Sequence, residues 1–337
     1  MPKILVTGGN GYIGSHTVVE LLNNGYEVVV VDNLCNSKPY VKDRIADLAD
    51  RPFGFYQIDI CNLNDLKDVF HKESDISGII HFAAHLFVEE SVENPIKYYQ
   101  NNIVGLLNLI EATKLLPKVD VVFSSSCTVY GNPDEVPISE SESIKPAMSP
   151  YGNTKKMAEE ILRDHSMANA NFRTTALRYF NPIGAHHSGK LGEDPLGHHT
   201  HLVPIIAEVA SGKREKLMVF GNDYPTRDGT CVRDYIHVCD LANAHVKALE
   251  YMLGNDQISG FDAINIGSGN GQTVLEVVQA FERATGQRIN YELAPRRPGD
   301  VDRIYANITK ATRLLGWKPE LDIDDMMVST YNWEKNK

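Results

Sequence analysis

Lys3-Ile4-Leu5-Val6-Thr7-Gly8-Gly9-Asn10-Gly11-Tyr12-Ile13-Gly14 is the stretch on which the fold turns. Lys3–Thr7 is short, apolar and bounded by glycine, the pattern of a buried strand. Ser15–Asn24, with Val18, Val19, Leu21 and Leu22 apolar, carries a helical pattern. Between them Gly8, Gly11 and Gly14 recur every third position. Glycine lets the backbone turn tightly and come close to a pyrophosphate. The helix that follows offers unbonded N–H groups and a positive dipole end.

The next strand-like run, Glu27–Val31, ends at Asp32, eighteen residues after Gly14. A carboxylate there can accept hydrogen bonds from a ribose diol and repels a 2′-phosphate, so NAD rather than NADP is expected. Gly8, Gly11 and Gly14 are the expected phosphate turn. Asp59-Ile60 ends a third strand-like run (Tyr56–Ile58), where an adenine edge could be met. Phe82-Ala83-Ala84 ends a fourth (Gly78–Phe82), where small residues let the chain pass beside a cofactor.

Further on, Val119–Ser124 reads as a strand, and Ile96–Leu116 and Tyr151–Ala168 as helices. Strands alternating with helices predict an α/β fold with a doubly wound parallel Rossmann sheet and right-handed crossovers. The second half is less regular and suits a smaller C-terminal α/β substrate-binding domain. The boundary is placed at residues 180/181, giving 1–180 and 181–337. Asp234–Glu250 reads as a strand and helix able to rejoin the main sheet.

The chain has 337 residues, 42% hydrophobic and 23% charged, enough for a sizeable core. No run approaches the roughly 18 apolar residues of a membrane helix. The apolar part of Met1–Gly8 is too short for a secretory signal, so a cytoplasmic protein is expected. Five cysteines form no C-x-x-C pair, which indicates neither a disulfide framework nor a zinc knuckle. His186-His187 and His198-His199-x-His201 are dense but lack companion ligands at metal spacing, and no metal is expected. A net charge of −11 argues against a nucleic-acid partner. An anionic substrate would then need a local basic pocket, which Arg233 and Arg297 could supply as planar bidentate donors.

The chemistry gathers at two places. Ser124-Ser125-Ser126-Cys127-Thr128-Val129-Tyr130-Gly131 closes the Val119 strand, and hydroxyls at the carboxyl end of such a strand lie at the binding crevice. Tyr151-Gly152-Asn153-Thr154-Lys155 places Tyr151 and Lys155 four apart, on one helix face. An ammonium nearby stabilises phenolate, so the Tyr151 pKa is expected to fall from ~10 towards working pH. Tyr151 is then the general acid/base, Lys155 its electrostatic partner, and Ser126 a hydrogen-bonding partner of the reacting oxygen.

At these residues the chain resembles the extended short-chain dehydrogenase/reductase superfamily and, within it, the UDP-glucose 4-epimerase family, along essentially its whole length. Asp32-Asn33-Leu34-Cys35-Asn36-Ser37 and Arg178-Tyr179-Phe180-Asn181-Pro182 are especially specific, and Phe220–Thr226, Val232–Val238 and Pro295–Asp300 also match. The resemblance implies reversible C4 epimerisation of UDP-glucose and UDP-galactose through a transient 4-keto sugar with bound NAD. It implies that Tyr12, Ile13, Asp32 through Ser37, Asp59, Ile60, Phe82, Ala83, Ala84, Asn101, Ser124, Tyr151, Lys155 and Phe180 line the NAD site. Ser126, Tyr151, Tyr179, Asn181, His201, Leu202, Leu217, Val219, Phe220, Arg233, Arg297, Asp300 and Ile304 are the matching substrate-side residues. It also implies a homodimer, and the helical segments Ile96–Leu116 and Tyr151–Ala168 could pair with a twin.

Three positions depart from the family pattern. Leu86 stands where a lysine is usual, His201 where many members carry asparagine, and Ile304 where a large tyrosine favours plain hexoses and a small residue also admits N-acetylhexosamines. Activity on the UDP-N-acetylhexosamine pair is therefore the alternative reading. Dehydratases on this scaffold carry an Asp-Glu pair before Val-Tyr-Gly; Cys127 and Thr128 stand there in this chain.

Overall fold

The computed structural model describes residues 2–297 and 300–337. Its strands are β1 (Lys3–Thr7), β2 (Glu27–Val31), β3 (Gly54–Tyr56), β4 (Ile76–His81), β5 (Val119–Ser126), β6 (Phe172–Tyr179), β7 (Asn181–Ile183), β8 (Leu217–Phe220), β9 (Val232–His237), β10 (Phe261–Ile266), β11 (Gly271–Thr273), β12 (Tyr291–Ala294) and β13 (Arg303–Ile304). Seven strands make one parallel sheet in the order β3-β2-β1-β4-β5-β6-β10. The order reverses between β1 and β4, and a ligand crevice opens at the carboxyl ends of strands at such a switch.

Because successive side chains leave a strand on opposite faces, both faces of this sheet need cover. Ile4, Val6, Val30, Ile80 and Val122 pack with Val18, Leu21, Leu241 and Leu249 from the helices Tyr12–Asn23 and Val238–Leu253. Leu5, Val29, Ile79, Val121 and Phe123 pack on the other face with Leu66, Phe70, Leu106, Leu109 and Leu162, from the helices Leu63–Lys72, Gly105–Thr113 and Pro150–Ala168. A third core, built around Val203, Ile206, Leu217, Val219, Val277 and Phe281, belongs to the substrate-side half.

Two details differ from the sequence reading. The strand within Asp234–Glu250 does not rejoin the main sheet. β9 pairs instead with β7, β11 and β13 in a separate small sheet. Only the helix from that segment returns, as cover for one face, and the seventh strand is β10, paired with β6. In the small sheet Arg233 donates to the Val301 carbonyl, and Asp234 accepts from the Ser268 N–H, which ties β9 to the loops around it.

Nor is Ile96–Leu116 one helix. It is built from a helix over Pro95–Tyr99, a π turn over Gln100–Val104 and a helix over Gly105–Thr113. The π turn directs Asn102 inward, where it bonds both backbone groups of His85 (2.8 and 3.1 Å) and the Thr154 hydroxyl (3.0 Å). π turns of this kind cluster at functional sites.

Several buried histidines stay neutral. Burial pushes His16 and His81 down to about 3, and His237 and His245 down to about 4. In the unfolded chain each takes a proton near pH 6.5, so between that pH and about 4 the unfolded state binds more protons. Stability from these groups is complete above pH 6.5 and is lost as pH falls, by up to about 1.4 kcal/mol per pH unit for each. The melting temperature, measured by calorimetry from pH 7.5 to 4.5, is expected to drop steadily below pH 6. A His245→Phe variant is expected to decline less steeply.

Candidate active site

The crevice begins at the glycine turn. Gly8 has φ +71°, and a Cβ on it would lie 2.7 Å from the Ala83 nitrogen; a Cβ on Gly14 would lie 2.2 Å from the Gly8 carbonyl oxygen. These two glycines let β1, the next helix and the β4 end touch. Gly11 differs: its Cβ would meet only the Gly8 carbonyl, at 3.3 Å, so the space beyond is open. No side chain caps the helix at Gly11, and the buried Asn10 Oδ1 has no partner. An open cradle above an uncapped helix N-terminus fits a pyrophosphate.

Asp32 lies beside this cradle. Its oxygens accept from the backbone N–H groups of Asn10 (3.0 Å) and Leu34 (2.8 Å), and from the Ser37 hydroxyl at 3.3 Å. Burial pushes its carboxyl up, against these hydrogen bonds. Leu34 holds φ +61°, a conformation unusual for a side chain with Cβ, and such strain concentrates where ligands are gripped. Asn33 donates to Asp59 at 3.0 Å, which joins the ends of β2 and β3. Cys35 is exposed, Asn36 half-buried, Ser37 and Ile60 buried. Phe82 meets His245 with the rings tilted at 50° and their centres 4.7 Å apart, and half-buried Ala83 and Ala84 follow it. Asn101 bonds Asn102 at the π turn, and Leu86 is exposed.

Ser149 starts the next helix as its cap, accepting from the Gly152 N–H at 3.1 Å, with Pro150 in the first turn. This fixes Tyr151 and Lys155 at its head. Lys155 is almost wholly buried and donates to the Ser124 carbonyl at 2.6 Å. Its ammonium lies 5.9 Å from the centre of the Tyr151 ring. Burial pushes Lys155 down to about 7, with Glu159 opposing. Burial also pushes the Tyr151 phenol up, joined by Tyr179 and Cys127, while the Ser126 hydroxyl pulls the other way. The expected fall of the Tyr151 pKa is thus not produced by the chain's own groups, because desolvation dominates.

Beneath the pair lies a polar support that the sequence reading did not single out. Glu159, four residues after Lys155, makes two bonds to Arg178 (2.9 and 2.6 Å) and accepts from Ser125 at 2.6 Å. Arg178 continues to the Tyr130 hydroxyl, and Tyr130 to Asn265. Ser126 accepts from the Thr128 N–H at 3.2 Å, and Ser124 shares a short hydrogen bond with Tyr179. Cys127, whose thiol burial pushes up to about 12, and Thr128 offer no carboxylate for dehydration.

On the substrate side, Arg233 and Arg297 converge on Asp300, each at 3.2 Å, and Arg297 lies over the Phe220 ring at 5.1 Å. Pro298 and Gly299, within the Pro295–Asp300 motif, lie outside the described residues. Asn181 donates to the Asp234 carbonyl at 3.0 Å. Phe180 and Ile304 share one buried cluster with Val129 and Tyr130. His201 precedes the helix Leu202–Ala210 and pairs with Glu193 at 2.8 Å. The Leu217 and Val219 side chains are buried in the third core, which leaves their backbone as the part able to face the substrate side. Alternation along β8 puts Met218, not these two, on the face of Phe220. Period two counted from Phe220 was the signal available for this.

Fold and site together define a class, the dinucleotide-binding short-chain enzymes with a Tyr-x-x-x-Lys helix. A family model described as GDP-mannose 4,6 dehydratase matches residues 5–330. UDP-glucose 4-epimerase of Bacillus subtilis is 49% identical over 333 residues, 99% of this chain and 97% of its own length. The Stenotrophomonas maltophila UDP-glucose 4-epimerase structure, with NAD and formylated UDP-arabinopyranose bound, superposes at TM-score 0.96 with 43% identity, covering 100% of this chain and 98% of that one. The Bifidobacterium longum structure in complex with NAD⁺ and UDP gives 0.94 and 45%, covering 99% and 98%. The chain belongs to the extended short-chain dehydrogenase/reductase superfamily and, within it, to the UDP-glucose 4-epimerase family.

The Gly14 contact gives a direct test of the turn. Gly14→Ala must displace backbone, so NAD⁺ affinity measured by calorimetric titration is expected to fall at least about tenfold, the scale of a strained phosphate loop. Gly212→Ala is the control, since a Cβ there meets nothing within 4 Å although its φ is +76°. Any strain it adds should appear in the melting temperature and not in NAD⁺ affinity.

Proposed function

We propose that the chain interconverts UDP-glucose and UDP-galactose by inverting C4, with Tyr151 as the acid/base and NAD as the bound cofactor. The observation that carries this is the meeting of Tyr151, buried Lys155 and the β5 serines at the crevice that the glycine turn opens. The N–H groups at Tyr12 and Ile13 would hold the pyrophosphate, and Asp32, with Asn33 through Ser37, Asp59 and Ile60, would hold the adenosine end. When bound, the dinucleotide supplies reversible oxidation and reduction at the sugar's C4.

Tyr151 takes the proton of the 4-hydroxyl and later returns it to the same oxygen on the opposite ring face. Ser126 orients that oxygen. Lys155, anchored on the Ser124 carbonyl, places a positive charge that favours the phenolate. Arg233, Arg297, Asn181 and Phe220 hold UDP firmly, which leaves the hexose free to turn about the pyrophosphate linkage. Phe180 lies on the nicotinamide side and Ile304 on the sugar side of one buried cluster. Ile304 is smaller than the tyrosine that favours plain hexoses, and this favours a second, slower activity on UDP-N-acetylhexosamines.

Val88, Val92, Ile96, Val104 and Leu107 are exposed apolar residues on the segments around the π turn. They support a homodimer formed through this face. A cytosolic protein with its five thiols reduced fits the same reading.

Tyr151→Phe is expected to lower kcat for UDP-galactose by about 10²–10⁴-fold, the range for a lost general acid/base. Conversion would be followed with excess UDP-glucose dehydrogenase. Lys155→Met is expected to move the acid limb of the kcat profile to higher pH, since the phenolate loses its cation. Full turnover by Tyr151→Phe would remove the assigned role. Ile96→Glu with Leu107→Glu is expected to give a monomer in sedimentation velocity, where the unaltered chain sediments as a dimer.

A further inference from the structure

One carboxylate outside the catalytic set joins the two sides of the crevice. The Asp194 side chain is only 4% exposed and faces two ammonium groups and one hydroxyl. Lys38 Nζ lies 2.7 Å from Oδ2, and the Tyr40 hydroxyl donates to the same oxygen. Lys337 Nζ lies 2.9 Å from Oδ1 and 3.0 Å from His199 Nε2.

Lys38 and Tyr40 end the loop that begins at Asp32. On its other side this loop is fixed to the glycine turn, because the Asn10 amide donates to the Lys38 carbonyl (2.9 Å) and to the Ser37 hydroxyl (3.3 Å). Asp194 belongs to the segment 184–201. That segment starts where Tyr12, the first residue of the helix at the glycine turn, donates to the Gly184 carbonyl at 2.6 Å. It ends at His201, which pairs with Glu193. Trp333 backs it by donating to the Glu193 carbonyl at 3.0 Å, and Arg44 lies over both the Tyr40 and Trp333 rings, at 4.3 and 5.3 Å.

We propose that Asp194 is a positioning residue that clamps the loop Asp32–Lys38 against the segment 184–201 and thereby sets how fast bound dinucleotide leaves. The clamp rests on the reading of the glycine turn as the dinucleotide site. A loop gripped at one end by Asn10 and at the other by a desolvated carboxylate cannot lift without breaking the charged contacts. Although burial works against the charge, Lys38, Tyr40 and Lys337 hold the Asp194 carboxyl below its ordinary range, so it stays anionic at neutral pH. Without it, Lys38 and Lys337 are two like charges that turn out to solvent, to which their side chains are already 35% and 23% exposed. The loss is then local opening rather than global unfolding.

The test measures NAD release from loaded protein, with the released cofactor trapped by excess alcohol dehydrogenase and ethanol, beside the melting temperature. Asp194→Asn is expected to speed release about tenfold or more, the scale of a lost charge-assisted hydrogen bond set. Lys38→Met is expected to speed it less, and the double variant to release no faster than Asp194→Asn alone. Lys213→Met breaks the nearby Lys213–Glu334 pair (2.6 Å) without touching the cofactor loop, and is expected to leave release unchanged. Release from Asp194→Asn at the unaltered rate overturns the proposal, as does equal acceleration by Lys213→Met. No sugar enters the assay. A chain that binds NAD but fails to epimerise therefore overturns only the epimerase reading, whereas one that binds no NAD overturns the cofactor site and the clamp together.

Discussion

The structure hangs on the contact between Gly14 and the Gly8 carbonyl. A Cβ at Gly14 would lie 2.2 Å from that oxygen, so only glycine lets the first helix settle onto the end of β1. That contact aims the helix's N–H groups at the crevice. It also brings Gly8 against Ala83 and aligns the ends of β1 and β4, where the strand order reverses. Every later element is placed relative to that switch. β5 carries its serines to the same edge, and the Ser149 cap starts the helix that brings Tyr151 and Lys155 over them.

The chemistry then depends on desolvation used in two directions. Burial lifts the Tyr151 phenol and lowers the Lys155 ammonium to about 7, so in the protein alone the phenolate is disfavoured while the lysine is balanced near neutral pH. Glu159 opposes the fall of Lys155, and its own buried charge is satisfied by Arg178 and Ser125. A buried carboxylate is tolerated only with such partners. The result is a pair poised to respond to a positive charge brought next to it. That fits a site that moves a hydroxyl proton only when its cofactor is in place.

Much of this was legible in the residues. The glycine spacing and Asp32 identified the crevice, and the serine run with Tyr151 and Lys155 identified its chemistry, because strand ends and i,i+4 faces follow from local periodicity. What was not legible depends on long-range packing. The π turn that buries Asn102 has no signature in an apolar pattern. β10, and not β9, pairs with β6 in the main sheet. The side chains of Leu217 and Val219 turn into a core. Glu159 and Asp194 gain their places from residues 19 or more positions distant, Arg178 and Lys38 among them, which no local reading brings together.

In this mechanism C4 itself is oxidised and re-reduced while Tyr151 handles only the hydroxyl proton. The most direct measurement is conversion of UDP-galactose carrying deuterium at C4, with the product's C4 examined by mass spectrometry and NMR. The account predicts UDP-glucose that keeps the label at C4, and no uptake of deuterium at C4 when unlabelled substrate turns over in heavy water. Washout of the label into solvent would mean that a base removes the carbon-bound hydrogen as a proton, and would contradict the account.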